Sequence, residues 1–181
     1  MPNCAAALAD IAMNRALKRR LLRFINFWPP FLGAGIRLRR LSPDFREADV
    51  EMQQRFWNTN YVGVHFGGSL CAMADPFYML LLMENLGREY IVWDKAASVR
   101  FRKPGRGTVR AEFRLSEAEI EEVRAAVAEH GKCERNFIVK IVDDQGAVVA
   151  EVEKLIHVRH KHCVSAAHSG AQSREPLTQE S

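Results

Sequence analysis

The stretch from Gly67 to Gly87 constrains this chain most: Gly-Gly-Ser-Leu-Cys-Ala-Met-Ala-Asp-Pro-Phe-Tyr-Met-Leu-Leu-Leu-Met-Glu-Asn-Leu-Gly. It is apolar on nearly every side, so as a helix it must be wrapped by other elements. Asp75 is the only charged side chain from Ser69 to Met83. It interrupts the run before the roughly 18 uncharged residues of a membrane span are reached. A carboxylate in such surroundings must be solvated, hydrogen-bonded or shifted in pKa. The Gly67-Gly68 step lets backbone N–H groups approach a ligand closely at the helix start. One segment therefore offers an oxyanion donor and an acid/base carboxylate. Structural roles fit the same residues. Asp75-Pro76 reads as an N-cap followed by Pro at N1, and Gly67 and Gly68 as points of close helix packing. Met73, Phe77, Met79 and Met83 suit either an acyl group or the core.

The other segments read as the wrapping. Leu8, Ile11, Ala12, Leu17, Leu21, Phe24, Ile25 and Trp28 recur at helical spacing, and Pro29-Pro30 is expected to stop that helix. The Arg-rich segment from Ala5 to Trp28 fits a packed surface helix, with a membrane-surface helix or a targeting segment as alternatives. Ile36 to Leu41 alternates like a half-buried strand, Ser42-Pro43-Asp44 is a turn, and 48–56 is the expected return strand. Tyr90 to Arg100 and Thr108 to Leu115 alternate likewise around the turn at 103–107. Ser116-Glu-Ala-Glu119 is a capping box opening a helix to His130, closed by Gly131. Its narrow Ile120, Val123, Val127 stripe predicts a surface helix. Residues 136–142 and 148–158 make a last hairpin around Asp143 to Gly146. The tail at 161–181 has the composition of a disordered segment. The sum is an α+β domain over 30–160, preceded by a helix at 1–29.

A hydrophobic content of 48% supports a real core, and the net charge of +4 is modest. The cations cluster at Lys18 to Arg23, Arg37 to Arg40 and Arg100 to Arg106. Such clusters suit nucleic acid, an anionic membrane or a phosphorylated cofactor. No zinc-finger or RNA-recognition pattern supports nucleic acid. Cys4, Cys71, Cys133 and Cys163 are scattered without a C-x-x-C pair, which fits a reducing, cytoplasmic compartment and no metal site. His157, His160 and His162 lack the spacing of a metal cluster.

The spacing Asn60-x-x-Gly63-x-x-Phe66-Gly67-Gly68-(x)6-Asp75, with Lys95-Ala-Ala-Ser-Val-Arg-Phe101-Arg-Lys103-Pro104-x-x-Gly107-Thr-Val-x-Ala111 following in order, resembles the hotdog-fold thioesterase superfamily. The likeness is to its phenylacetyl-CoA-thioesterase-like branch and domain-of-unknown-function relatives. The resemblance implies a hotdog fold, an antiparallel sheet wrapped around a central helix. It also implies a homodimer or dimer of dimers with sites at the subunit interface. The expected substrate is an acyl-CoA or acyl-carrier thioester, with CoA present only as part of substrate and no separate cofactor. By position, Asn60 would place substrate or water, Gly67 would donate its N–H to the thioester oxygen, and Asp75 would be general base or nucleophile. Gly68, His65, Phe66, Arg102 and Lys103 would line the substrate. Eight residues of helix span about 12 Å, so Gly67 and Asp75 of one chain cannot serve one carbonyl group. Active members often carry His directly before the Gly-Gly pair. Here that position is Phe66, which leaves a non-catalytic acyl- or CoA-binding protein as the alternative.

Overall fold

A computed structural model describes Arg15 and residues 17–161. The sequence expectations for 1–14 and 162–181 lie outside the described residues. In chain order the elements are a 3-10 turn (Arg23–Phe27), α1 (Pro29–Ala34), β1 (Ile36–Leu41), β2 (Glu47–Gln53), α2 (Gly67–Ala74), α3 (Phe77–Leu86), β3 (Tyr90–Phe101), β4 (Thr108–Arg114), α4 (Glu117–His130), β5 (Lys132–Asp143) and β6 (Val148–His160). All six strands form one antiparallel sheet in the order β1-β2-β4-β5-β6-β3.

Period-2 patterning decides the inner face. Val109, Ala111 and Phe113 of β4 alternate with exposed Arg110 and Glu112, and Phe137, Val139 and Ile141 of β5 do the same. These inward residues join Leu70, Met73, Phe77, Leu81 and Leu82 of α2 and α3 in one core cluster. Phe77 and Tyr78 meet Phe113 at ring-centroid distances of 4.9 and 5.2 Å, and Tyr78 stacks on Phe137 at 4.7 Å. Burial of these large side chains is the main stabilising term.

The helical run through residue 27 ends before Pro29-Pro30, as expected, with Trp28 extended; Pro29 then opens α1 as its first residue, where a missing N–H costs nothing. The expectation of one helix over 67–87 needs correction. The segment divides into α2 and α3 at Asp75-Pro76, because Pro76 cannot donate to the helical ladder.

The expected capping box is present: Ser116 Oγ accepts from Glu119 N–H at 3.2 Å, and Glu119 Oε2 accepts from Ser116 N–H at 2.8 Å. Only Ile120, Val123 and Val127 of α4 are buried. Residues 17–22 are helical and docked on the domain. Lys18 Nζ lies 3.0 Å from Glu84 Oε2, the Asn26 amide pairs with the Leu38 backbone, and Leu22 and Ile25 face the core. Leu17, Leu21, Phe24 and Phe27 face outward.

Leu81 is fully buried where α3 meets the sheet. Leu81→Ala should lower stability by about 3 kcal/mol, the range for a large-to-small change at a site that cannot collapse. Urea unfolding checks this, and a loss under about 1 kcal/mol would mean that the core repacks.

Candidate functional site

The expected site residues divide among three neighbouring cavities. Asn60, His65, Gly67, Arg102 and Lys103 line one of about 430 Å³. Asn60, Phe66 and Gly68 line a second, of about 520 Å³, with Trp57 and Pro30. Asp75 lies in a third, of about 300 Å³, with Trp28, Cys71, Ala97, Val99, Val152 and Lys154. Asp75 and Gly67 of one chain thus open into different cavities, in keeping with their helical separation.

Asn60 is engaged in its own loop. Its Oδ1 accepts from the N–H groups of Val62 and Val64, both at 3.1 Å, so the side chain closes the turn that carries Gly63 at φ 77°. His65 is buried, and its Nε2 lies 2.9 Å from the Gly107 carbonyl oxygen. A carbonyl only accepts, so Nε2 carries the proton and Nδ1 is left as an acceptor with no protein partner. Burial pushes the imidazole below its ordinary pKa, and the Gly107 hydrogen bond opposes this only in part. His65 is thus a neutral histidine tying the 58–66 loop to the loop before β4.

Phe66 is the N-cap position of α2 and is more than half exposed. The two glycines let aromatic rings close over the helix start. A Cβ at Gly68 would meet the Phe66 ring at 2.4 Å, and one at Gly67 the Phe101 ring at 3.0 Å. Gly67 is the first residue of α2, so its N–H has no acceptor within the helix.

The expected cationic contacts are already paired within the chain. Arg102 Nη2 lies 3.4 Å from Glu151, and Lys103 bonds the Asp143 carboxylate. Arg39 pairs with Glu51, and Arg40 with Glu47 and Asp49. Met73 and Phe77 are consumed by the core, Met79 packs on its margin, and Met83 is exposed on α3.

Asp75 does not cap α3, which has no side-chain cap. Its carboxylate turns instead to the sheet, where Oδ1 accepts from Lys154 Nζ at 2.8 Å. The same ammonium lies 2.9 Å from Asp94 Oδ2. Exposure is graded across the three: side chains are 2% accessible at Lys154, 22% at Asp94 and 67% at Asp75. The expected carboxylate in an apolar setting is, in the single chain, largely open to its cavity and held by one buried cation. Burial raises the Asp94 pKa despite Lys154, and the Asp75 charge adds to the rise.

Lys154 was absent from the residues expected by sequence. The signal for it lies in β6, where Ala150, Val152, Ile156 and Val158 occupy the inward phase and Lys154 shares it. A lysine in the apolar phase of a strand needs a buried acid.

The fold places this chain with thioesterase-like proteins. Residues 17–158 match the family described as a domain of unknown function, DUF4442, and the chain belongs to that family. Among solved structures it is similar to PA5026 of Pseudomonas aeruginosa, described as a protein of unknown function and probable thioesterase. That likeness has 26% identity and a TM-score of 0.71, covering 78% of this chain and 95% of the other. The thioesterase HI1161 of Haemophilus influenzae shares the fold at 14% identity and a TM-score of 0.57, covering 81% and 92%. So does OLEI01261 of Chlorobaculum tepidum, of unknown function, at 15% identity and a TM-score of 0.64, covering 78% and 94%. No curated protein matches the chain in sequence. No described helix is long and apolar enough to cross a membrane.

His65 gives a pH test of its structural role. Its pKa is lowered on folding, so the neutral form is the one the fold favours. That contribution is complete above the unfolded value of about 6.5 and is lost as pH falls through it toward the folded value. The thermal midpoint of the native chain should therefore fall between pH 7.5 and 5.5, and that of His65→Gln should fall less steeply over the same range. Parallel slopes would remove His65 from the balance.

Proposed function

We propose that this protein is a hotdog-fold thioesterase that hydrolyses an acyl-CoA or acyl-carrier thioester at a site completed by a second copy of the chain. The observation that carries this is the Asp75 carboxylate. One oxygen is held on a buried ammonium, and the group faces an open cavity lined by apolar side chains. The likeness to a protein described as a probable thioesterase supports the reaction class.

The arrangement of edges supports a pair of chains. β3 ends the sheet and is 12 residues long. Between the charged Lys95 and Arg100, its run Ala96, Ala97 and Ser98 is exposed and carries neither charge nor proline. Edge-to-edge pairing of β3 with its copy satisfies those backbone groups. In the proposed pair Gly67 of one subunit and Asp75 of the other serve one thioester, since within one chain the two open into different cavities.

The reaction is then acyl transfer to water. Asp75 takes a proton from water as its oxygen attacks the thioester carbon. The free N–H of Gly67 stabilises the oxyanion. Collapse of the tetrahedral intermediate breaks the C–S bond, and the departing thiolate recovers the proton from Asp75. The products are a carboxylic acid and a thiol. Arg102 and Lys103, at the mouth of the Gly67 cavity, contact CoA phosphate only by exchanging their present carboxylate partners.

A panel of acyl-CoAs assayed for thiol release tests this directly. Asp75→Asn should lose about 10²- to 10⁴-fold in kcat, the usual contribution of a general base, with little change in thermal midpoint. Sedimentation should give the mass of at least two chains. Full activity in Asp75→Asn would remove the carboxylate from the chemistry. Thermal stabilisation by CoA esters without turnover would select the non-catalytic binding alternative.

A further inference from the structure

We propose that Lys154 is the positioning residue for the Asp75 carboxylate, and that Asp94 sets how much of the lysine's charge Asp75 feels. This rests on the reading of Asp75 as the base. The geometry consists of one ammonium with two carboxylates, on three elements that converge behind the cavity. Lys154 Nζ is 2.8 Å from Asp75 Oδ1 and 2.9 Å from Asp94 Oδ2. The lysine side chain is buried, so it cannot follow Asp75 into solvent, and its two acceptors fix its position.

A lone ammonium against a catalytic carboxylate has opposing effects. It aims the group, since one oxygen is tied down and the other is left free. It also weakens the base, because an adjacent cation favours the ionised form and lowers the affinity for a proton. Asp94 offsets the second effect. A second carboxylate on the same ammonium leaves the cluster with a net charge of −1 when all three groups are ionised. Among the described residues, the other titratable group lining the Asp75 cavity is Cys71 of α2, whose thiol pKa is raised by burial and by the Asp75 charge. The α1 side of the cavity contributes Trp28, Pro30 and Phe31, which carry no charge.

Asp94 has the marks of a residue kept for charge. Its Oδ1 is buried with no protein hydrogen-bond partner. The cost of that orphaned atom is hard to explain by packing alone. The strand is also irregular there, with the β3–β6 register shifting between Asp94 and Ala96. Lys95 thereby reaches outward to Glu134 while Asp94 reaches Lys154.

The two charges predict shifts of opposite sign, which a purely structural role does not. Lys154→Met leaves Asp75 beside Asp94 without a cation, so the acid limb of kcat/KM should move to higher pH. Asp94→Asn leaves Asp75 alone with the ammonium, so the acid limb should move to lower pH. The Asp75 titration is read by carbon NMR of the labelled carboxyl group, and the acid limb by the pH profile of thioester hydrolysis. If Lys154→Met does not fold, Asp94→Asn still gives a signed shift with the lysine in place. Shifts in opposite directions, or a downward shift in Asp94→Asn alone, support the proposal. An Asp75 titration unmoved by Asp94→Asn, or moved upward by it, overturns it. The NMR titration needs no turnover, so a protein that hydrolyses nothing sinks the thioesterase reading and leaves this test intact.

Discussion

The register of β6 is the constraint on which the rest of the structure depends. β6 pairs with β3 along one side and β5 along the other, so its alternation sets which residues of three strands face inward. Val152, Ile156 and Val158 fill that face, and Lys154 comes with them because a strand has a period of two. A one-residue slip would send the valines to solvent and release the lysine. With the register held, an ammonium sits inside the sheet and must find anions there.

The break at Asp75-Pro76 supplies one of them. Pro76 interrupts the helical ladder between α2 and α3, and the carboxylate before it is free of a capping role. Its turn toward β6 exchanges a local hydrogen bond for a charged one over a sequence separation of 79 residues. A pair with only its lysine buried is weak ground for a stability claim, since desolvation of the ammonium offsets the gain and the exposed carboxylate is screened. Its value lies in geometry: one carboxylate oxygen is placed, and the rest of the group stays open to its cavity.

Much of the fold was legible from local patterns. The capping box at Ser116 is visible because both partners lie within one turn. The hairpins follow from alternation, and the Asp143 side chain closes its turn by accepting from the N–H groups of Gln145 and Ala147. Where the pattern was nearly uniform, as in 67–87, periodicity held no information about a break, and only Pro76 signalled it. Pro29-Pro30 marked the end of one helix, but its power to open the next, α1, was not read from it. Among the site residues, Asn60 and His65 sit near the Gly67 cavity but spend their polar atoms on the loops that shape it.

By itself the sequence determined the strands, the capped helix α4, the single acid in the apolar run and the donor at the start of α2. These depend on neighbours within about a turn of helix or one strand pair. Only the tertiary structure decided what the acid touches. Lys154 and Asp94 reach Asp75 through strand pairing across the sheet, and pairing of distant strands leaves its mark on a linear chain only as a lysine in an otherwise apolar phase.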